Sequence, residues 1–337
     1  MTFHARTPDT SPSVETPVDR RAVLGTGAAA AAAIFTSAAF PTRARSEESP
    51  PFESAYRFRD LGKSYELWQR EVRSDALPSF STFQRGMEVC RSAACGIHHV
   101  NDGVPTGCHS GFLVSIPKDH RTPRSQGIAY IVTCDHARAF DVKSSSISII
   151  LSNGKTIHPR HEITEQKQQN GFPSKDLRIF ECSPRDVDGL LGLPLRLMSE
   201  QVSLGAPVVI YEPIGARVST QFDRAAGKVR PIVFADEEPR LEKFVLTHVT
   251  DPSGPRQKDP SYAANTGFMT GGQLYSGGSG SPAILFDGEA FYVGGYQVGY
   301  IPVPDTEESV NGELQCDGHV IHANNIISLL RKYSAWR

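Results

Sequence analysis

The chain has no surplus of charge: 35 Lys and Arg stand against 37 Asp and Glu, a formal net charge of −2 over 337 residues. Without a basic excess there is no electrostatic footprint for a polyanion, which excludes nucleic acid as the main partner. No internal repeat appears, so there is no repeat array to build. The run Cys90-x4-Cys95-Gly96-Ile97-His98-His99 lacks the spacing of a common zinc site, and a strand with two surface histidines accounts for it. Val23-Leu24-Gly25-Thr26-Gly27 imitates a dinucleotide-binding turn but lacks the surrounding strand-helix-strand unit. Neither a metal nor a cofactor is called for.

With 39% hydrophobic and 21% charged residues, the composition is that of a soluble globular protein long enough to bury a sizeable core. The first 44 residues read as a targeting segment. Arg20-Arg21 precede an Ala- and Gly-rich, mildly apolar stretch, a twin-arginine export signal with a small-x-small cleavage site at Thr42-Arg43-Ala44 or Ser37-Ala38-Ala39. The expected destination is the bacterial periplasm or the exterior, with no stable membrane insertion once the signal is cleaved. Six cysteines in an exported chain permit up to three disulfides. Asp60 to Ser74 reads as a short amphipathic helix ended by Pro78-Ser79-Phe80-Ser81. Thereafter short apolar stretches separated by Gly, Pro, Asn and Asp give an all-β rhythm: Ile147–Leu151, Pro207–Tyr211, Lys228–Phe234, Phe244–Val249. Ala323 to Tyr333 reads as a helix, and Asp251 to Ser261 as an exposed loop.

Chemistry is carried by three groups far apart in sequence. Gly277-Gly278-Ser279-Gly280-Ser281-Pro282 sets a serine among small residues. Such a chain can turn sharply enough for the N–H groups of Gly277 and Ser279 to form an oxyanion hole. A serine hydroxyl also needs a base. His136 follows Ala129–Cys134, a buried strand end, and Asp176 opens a strand in which Leu177 and Ile179 alternate with Arg178. In this reading Ser279 attacks a carbonyl, His136 takes and returns the proton, and Asp176 fixes the imidazole tautomer. Asp135, adjacent to His136, points away on the strand and is expected to be exposed. The order His, Asp, Ser excludes the α/β-hydrolase order.

On these residues the chain resembles the trypsin-like serine proteases of the chymotrypsin fold, closest in motif style to bacterial secreted glutamyl endopeptidases. The likeness adds Val293–Gly299 and Gly318-His319-Val320-Ile321 before a C-terminal helix, and covers about Met87 to the end. It implies an all-β fold of two packed antiparallel β-barrels with a short N-terminal helical extension and a C-terminal helix. The segments are then a signal (1–44), an extension (45–85), a first barrel with His136 and Asp176 (86–190), and a second barrel with Ser279 and the specificity pocket (191–337). A Cys108–Cys134 bridge beside the histidine is the preferred pairing.

Two departures stand out. Gly278 occupies the position of the aspartate that pairs with a new N-terminus in animal enzymes, so a protein starting at Arg45 is expected to need no further cleavage. Tyr296 stands where glutamyl endopeptidases place a histidine, and Gln273 lies in the region where trypsin has an aspartate. Substrate contact is assigned to Tyr296, Gly299 and Gly318, around an open pocket for a neutral or apolar side chain; His319 could add a positive contact. The implied function is a monomeric secreted endopeptidase acting on polypeptides through an acyl-enzyme. A catalytically inactive peptide-binding module and an esterase with the same triad are the alternatives.

Overall fold

The computed structural model describes residues 55–57, 61–72, 77–101, 104–136, 145–164, 176–198, 201–212, 218–223, 228–233, 243–253, 267–271, 278–302 and 316–337. The signal segment lies outside these, as do Gln273, Gly277 and most of the loop after Asp251. Among the described residues, no helix is long and apolar enough to cross a membrane.

Two antiparallel sheets make up the body. The first holds β2 (Ala94–Asn101), β3 (Val104–Ser115), β4 (Ala129–Cys134), β5 (Ser145–Leu151), β6 (Thr156–Ile157), β7 (His161–Thr164) and β8 (Leu177–Cys182), in the order β6-β5-β2-β3-β4-β8-β7, with β9 (Leu193–Pro194) alongside β3. The second runs β1 (Ala55–Arg57), β13 (Lys243–Asp251), β10 (Pro207–Glu212), β15 (Pro282–Asp287), β16 (Ala290–Pro302), β17 (Cys316–His322), β14 (Gly267–Thr270). Because β13 also pairs with β14, this second sheet closes on itself as a barrel that excludes only β1. A separate hairpin joins β11 (Val218–Asp223) to β12 (Lys228–Val233).

Strand faces follow period-2 alternation. In the closed barrel Val208, Ile210, Val245, Val249, Phe268, Ala283, Leu285 and Val320 form an interior cluster. The alternate residues Val209, Tyr211, Phe244, Leu246, Ile284, Phe286, Tyr296 and Ile321 join the larger core that continues into the first sheet. Tyr296, assigned to substrate contact from the sequence, is thus fully buried on the outer face of its strand.

Three α-helices stand among the described residues. In α1 (Leu61–Glu71) Leu61, Tyr65 and Trp68 are buried at helical spacing. The second, α2 (Phe80–Ala93), is absent from the strand-based reading of that stretch. Ser79 caps it by accepting from Thr82 N at 3.3 Å, and Phe83, Met87, Cys90 and Ala93 make one buried face before the chain runs straight into β2. The helix α3 (Asn324–Lys332) buries Ile326, Ile327, Leu329 and Leu330. Beyond it Trp336 stacks on His120 of the first half, with ring centroids 4.8 Å apart.

Trp68 anchors the N-terminal pair to the closed barrel. It is completely buried, its Nε1 donates to Thr247 O at 3.1 Å, and its ring meets Phe83 and Phe286 at 5.7 and 6.0 Å. Trp68→Ala is expected to cost about 3–5 kcal/mol, from lost burial and the cavity left behind. Urea unfolding checks this; a cost near zero would mean that the helices are a detachable appendage.

Two expectations in the first sheet are overturned. Strand β2 is paired on both sides, by β3 and β5, so His98 and His99 are buried rather than on the surface. His99 Nε2 lies 3.3 Å from His109 Nδ1, with the rings stacked. Cys134 is a free, buried thiol, and so are Cys90 and Cys182. The β3–β4 register Phe112↔Val132, continued, sets Cys134 beside Ser110, two residues short of Cys108. The Cys108–Cys134 bridge is therefore not formed.

Candidate active site

Strand pairing alone brings His136 and Asp176 together. β4 pairs with β8 up to Cys134↔Leu177, so the next residues along, Asp135 and Asp176, meet at the sheet end, where Asp135 N donates to Asp176 O at 3.1 Å. Asp176 then takes φ +45°, a left-handed conformation that aspartate tolerates better than most residues. This turns its carboxylate back over the strand end. Oδ1 accepts from Asp135 N at 2.8 Å and His136 N at 2.5 Å, while Oδ2 lies 2.6 Å from His136 Nδ1. The carboxylate is 3% exposed, and its bonds are of the strong, charge-assisted kind. Asp135 is buried, against expectation, because this clasp draws the whole turn inward.

With Nδ1–H given to Asp176, the lone pair of the neutral imidazole sits on Nε2, as a general base requires. The His136 side chain is 32% exposed, and Nε2 lies 3.7 Å from Cys134 Sγ. Burial disfavours charge on the ring, yet the neighbouring Cys134 sulfur and the Asp176 carboxylate outweigh it and hold the pKa well above the usual imidazole value. Deeper in the sheet, His109 is driven the other way, well below that value, by burial and by the positive groups His99, His136, Arg178 and His98. Arg178, 2% exposed, is paired with Glu162 at 2.5 Å.

Ser279 arrives from the other sheet. Its turn is closed by Ser281 N donating to Gly278 O at 2.9 Å and is tied to β16 by Gly280 N donating to Gln297 O at 2.7 Å. It is also docked on the first sheet, for Ser110 N donates to Ser279 O at 3.0 Å. Gly280 has φ +89°, and a Cβ there would stand 2.1 Å from Ser110 O and 2.5 Å from Thr133 Oγ1. Only glycine fits this contact. Thr133 completes the seat by donating to the same Ser110 carbonyl at 2.6 Å. The serine turn thus rests on the strand that leads, three residues later, to His136. Among the described residues no hydrogen bond joins Ser279 to His136. Gly277, the other expected oxyanion donor, lies outside the described residues.

Of the expected pocket residues, Gly299 has open space where a Cβ would be, and Gly318 is buried opposite Thr270 and Tyr300. Sequence reasoning passed over Thr133 and gave Cys134 to a disulfide; their places beside the serine turn and the imidazole become visible only through the β3–β4 pairing.

No family model matches the chain, and no curated protein does. Among solved structures it is similar to one described as "HtrA-type protease AlgW with decapeptide", at 12% identity and a TM-score of 0.45, covering 74% of this chain and 66% of that one. It is also similar to Deg5, at 14% identity and a TM-score of 0.45, covering 76% and 95%. In the protein itself, two antiparallel β-sheets carry the histidine–aspartate pair on one and the Gly-Ser-Gly-Ser turn on the other. This is the two-barrel, chymotrypsin-like fold of the trypsin-like serine proteases.

Proposed function

We propose that the protein is a serine endopeptidase in which Ser279, His136 and Asp176 act as nucleophile, base and orienting carboxylate. The observation that carries this reading is the Asp176 clasp: one buried carboxylate holds both the backbone and the Nδ1–H of a partly exposed histidine, beside a docked serine turn. That arrangement serves a base which must present Nε2 in one tautomer. The separation of His136 from Ser279 in the free protein fits a bond that tightens when substrate enters. The Ser279 amide is the oxyanion donor, together with Gly277. The twin-arginine segment supports export to the periplasm or beyond, and polypeptide is the preferred substrate because a cleft between two barrels suits an extended chain.

A fluorophosphonate probe tests the nucleophile. It should label the wild-type protein once, at Ser279, and leave Ser279→Ala unlabelled. Equal labelling of the two would remove Ser279 from the mechanism and favour the inactive binding module.

Acid sensitivity gives a second check. Only neutral His136 accepts the serine proton, and its pKa is raised. The acidic limb of kcat/KM should therefore lie above about 6.5, the ordinary imidazole value, with activity falling as pH drops through it. A limb at or below 6.5 in the wild type would contradict this electrostatic picture.

A further inference from the structure

At the end where Ser279 sits, the inner face of the closed barrel carries polar side chains with no hydrogen-bond partner among the described residues. Ser281 continues the inward face of Ala283 and Leu285, two residues beyond the nucleophile. Gln297 lies across from it, its N–H donating to Ser281 O at 2.9 Å, and is paired on its other side with inward-facing Val320. Thr270 continues the inward face of Phe268 and pairs with inward-facing Val249 and with Gly318. The registers Pro282↔Tyr296, Gln297↔Val320 and Thr270↔Gly318 bring all three to the same end of the barrel.

Each of these side chains is at least nine-tenths buried: Ser281 and Thr270 are 0% exposed and Gln297 is 2% exposed. Ser281 Oγ, Thr270 Oγ1 and Gln297 Oε1 have no hydrogen-bond partner among the described residues. Buried polar atoms without a partner are rare and destabilising, so three on one face ask for a function. Gly318, paired with Thr270, withholds a side chain beside the three groups.

We propose that this end of the barrel is the subsite for the side chain on the acyl side of the scissile bond, and that it selects an uncharged carboxamide, glutamine or asparagine. The assignment rests on Ser279 being the nucleophile. A carboxamide both donates and accepts, as do the two hydroxyls, and the Gln297 amide can present either end by a half-turn of its last bond. A hydrocarbon side chain would bury three polar atoms with nothing to bond, a mismatch that binding sites reject strongly. A carboxylate or ammonium would enter without a counter-charge, because no charged side chain among the described residues stands on this face at this end. His319 supplies none: it sits next to Val320 and so faces the opposite side of its strand, near Gly267. The preference is thereby narrowed from neutral or apolar to neutral and hydrogen-bonding.

The test is a series of peptide substrates differing only at that position: Gln, Asn, Glu, Leu and Lys. Gln or Asn should exceed Leu, Glu and Lys in kcat/KM by about 10-fold or more, and Thr270→Val and Ser281→Ala should each cut the Gln-to-Leu ratio about 10-fold. Both variants should unfold at the wild-type temperature or above it, since each deletes an unpaired buried hydroxyl; a role confined to packing would lower it instead. A preference for Leu, Glu or Lys, or a Gln-to-Leu ratio unmoved by both variants, overturns the proposal. So does failure to cleave any of the series while fluorophosphonate still labels Ser279. Failure of the label itself removes the nucleophile and the subsite with it.

Discussion

Replacing Ser279 by alanine is expected to lower kcat about 10⁶-fold, the scale on which loss of a single nucleophile abolishes acyl-enzyme chemistry. The substitution deletes one oxygen from a partly exposed side chain. The bond that docks the turn runs from Ser110 N to the Ser279 carbonyl, which alanine keeps. Stability should therefore stay within about 0.5 kcal/mol of wild type. A melting curve beside a turnover measurement separates chemistry from folding. Turnover close to wild type in a well-folded variant would end the triad assignment.

Asp176→Asn is expected to lower kcat about 10⁴-fold, because an amide NH₂ facing Nδ1 holds the imidazole in the wrong tautomer. Asparagine also tolerates the left-handed φ of +45°, and its single carbonyl can still accept the Asp135 and His136 amides. The backbone clasp survives while the proton logic is reversed, so this variant is more telling than alanine, which would strain the turn as well. Removing the carboxylate should also bring the acidic limb of the remaining activity down. Measuring kcat across pH for wild type and variant checks both effects. An unchanged limb with near-normal kcat would show that His136 draws its basicity from elsewhere.

The three candidate groups could be picked out in the sequence because each lies at a strand end with its own local pattern. Alternation marks Leu177 and Ile179, the apolar run marks Ala129–Cys134, and small residues flank Ser279. What it concealed was decided by pairing. His98 and His99 look like surface residues until β2 is seen to have neighbours on both sides. Asp135 looks exposed until the amide it shares with Asp176 is found. Tyr296 took its assignment from its place in the family pattern, which says nothing of the burial that pairing with β15 and β17 imposes. The helix read before Pro78 is present over Leu61–Glu71, but just past Pro78 another begins: Ser79 is a cap, and the period Phe83, Met87, Cys90 was there to be seen.

The seat of Gly280 against Ser110 and Thr133 has a mechanical corollary. With no slack for even a methyl group, the turn is indexed to the opposite half of the molecule, and any sliding of one half over the other is transmitted to the gap between hydroxyl and imidazole. A ligand that wedged the halves apart, however far from the cleft, would act as a brake on proton transfer without touching any of the reacting groups.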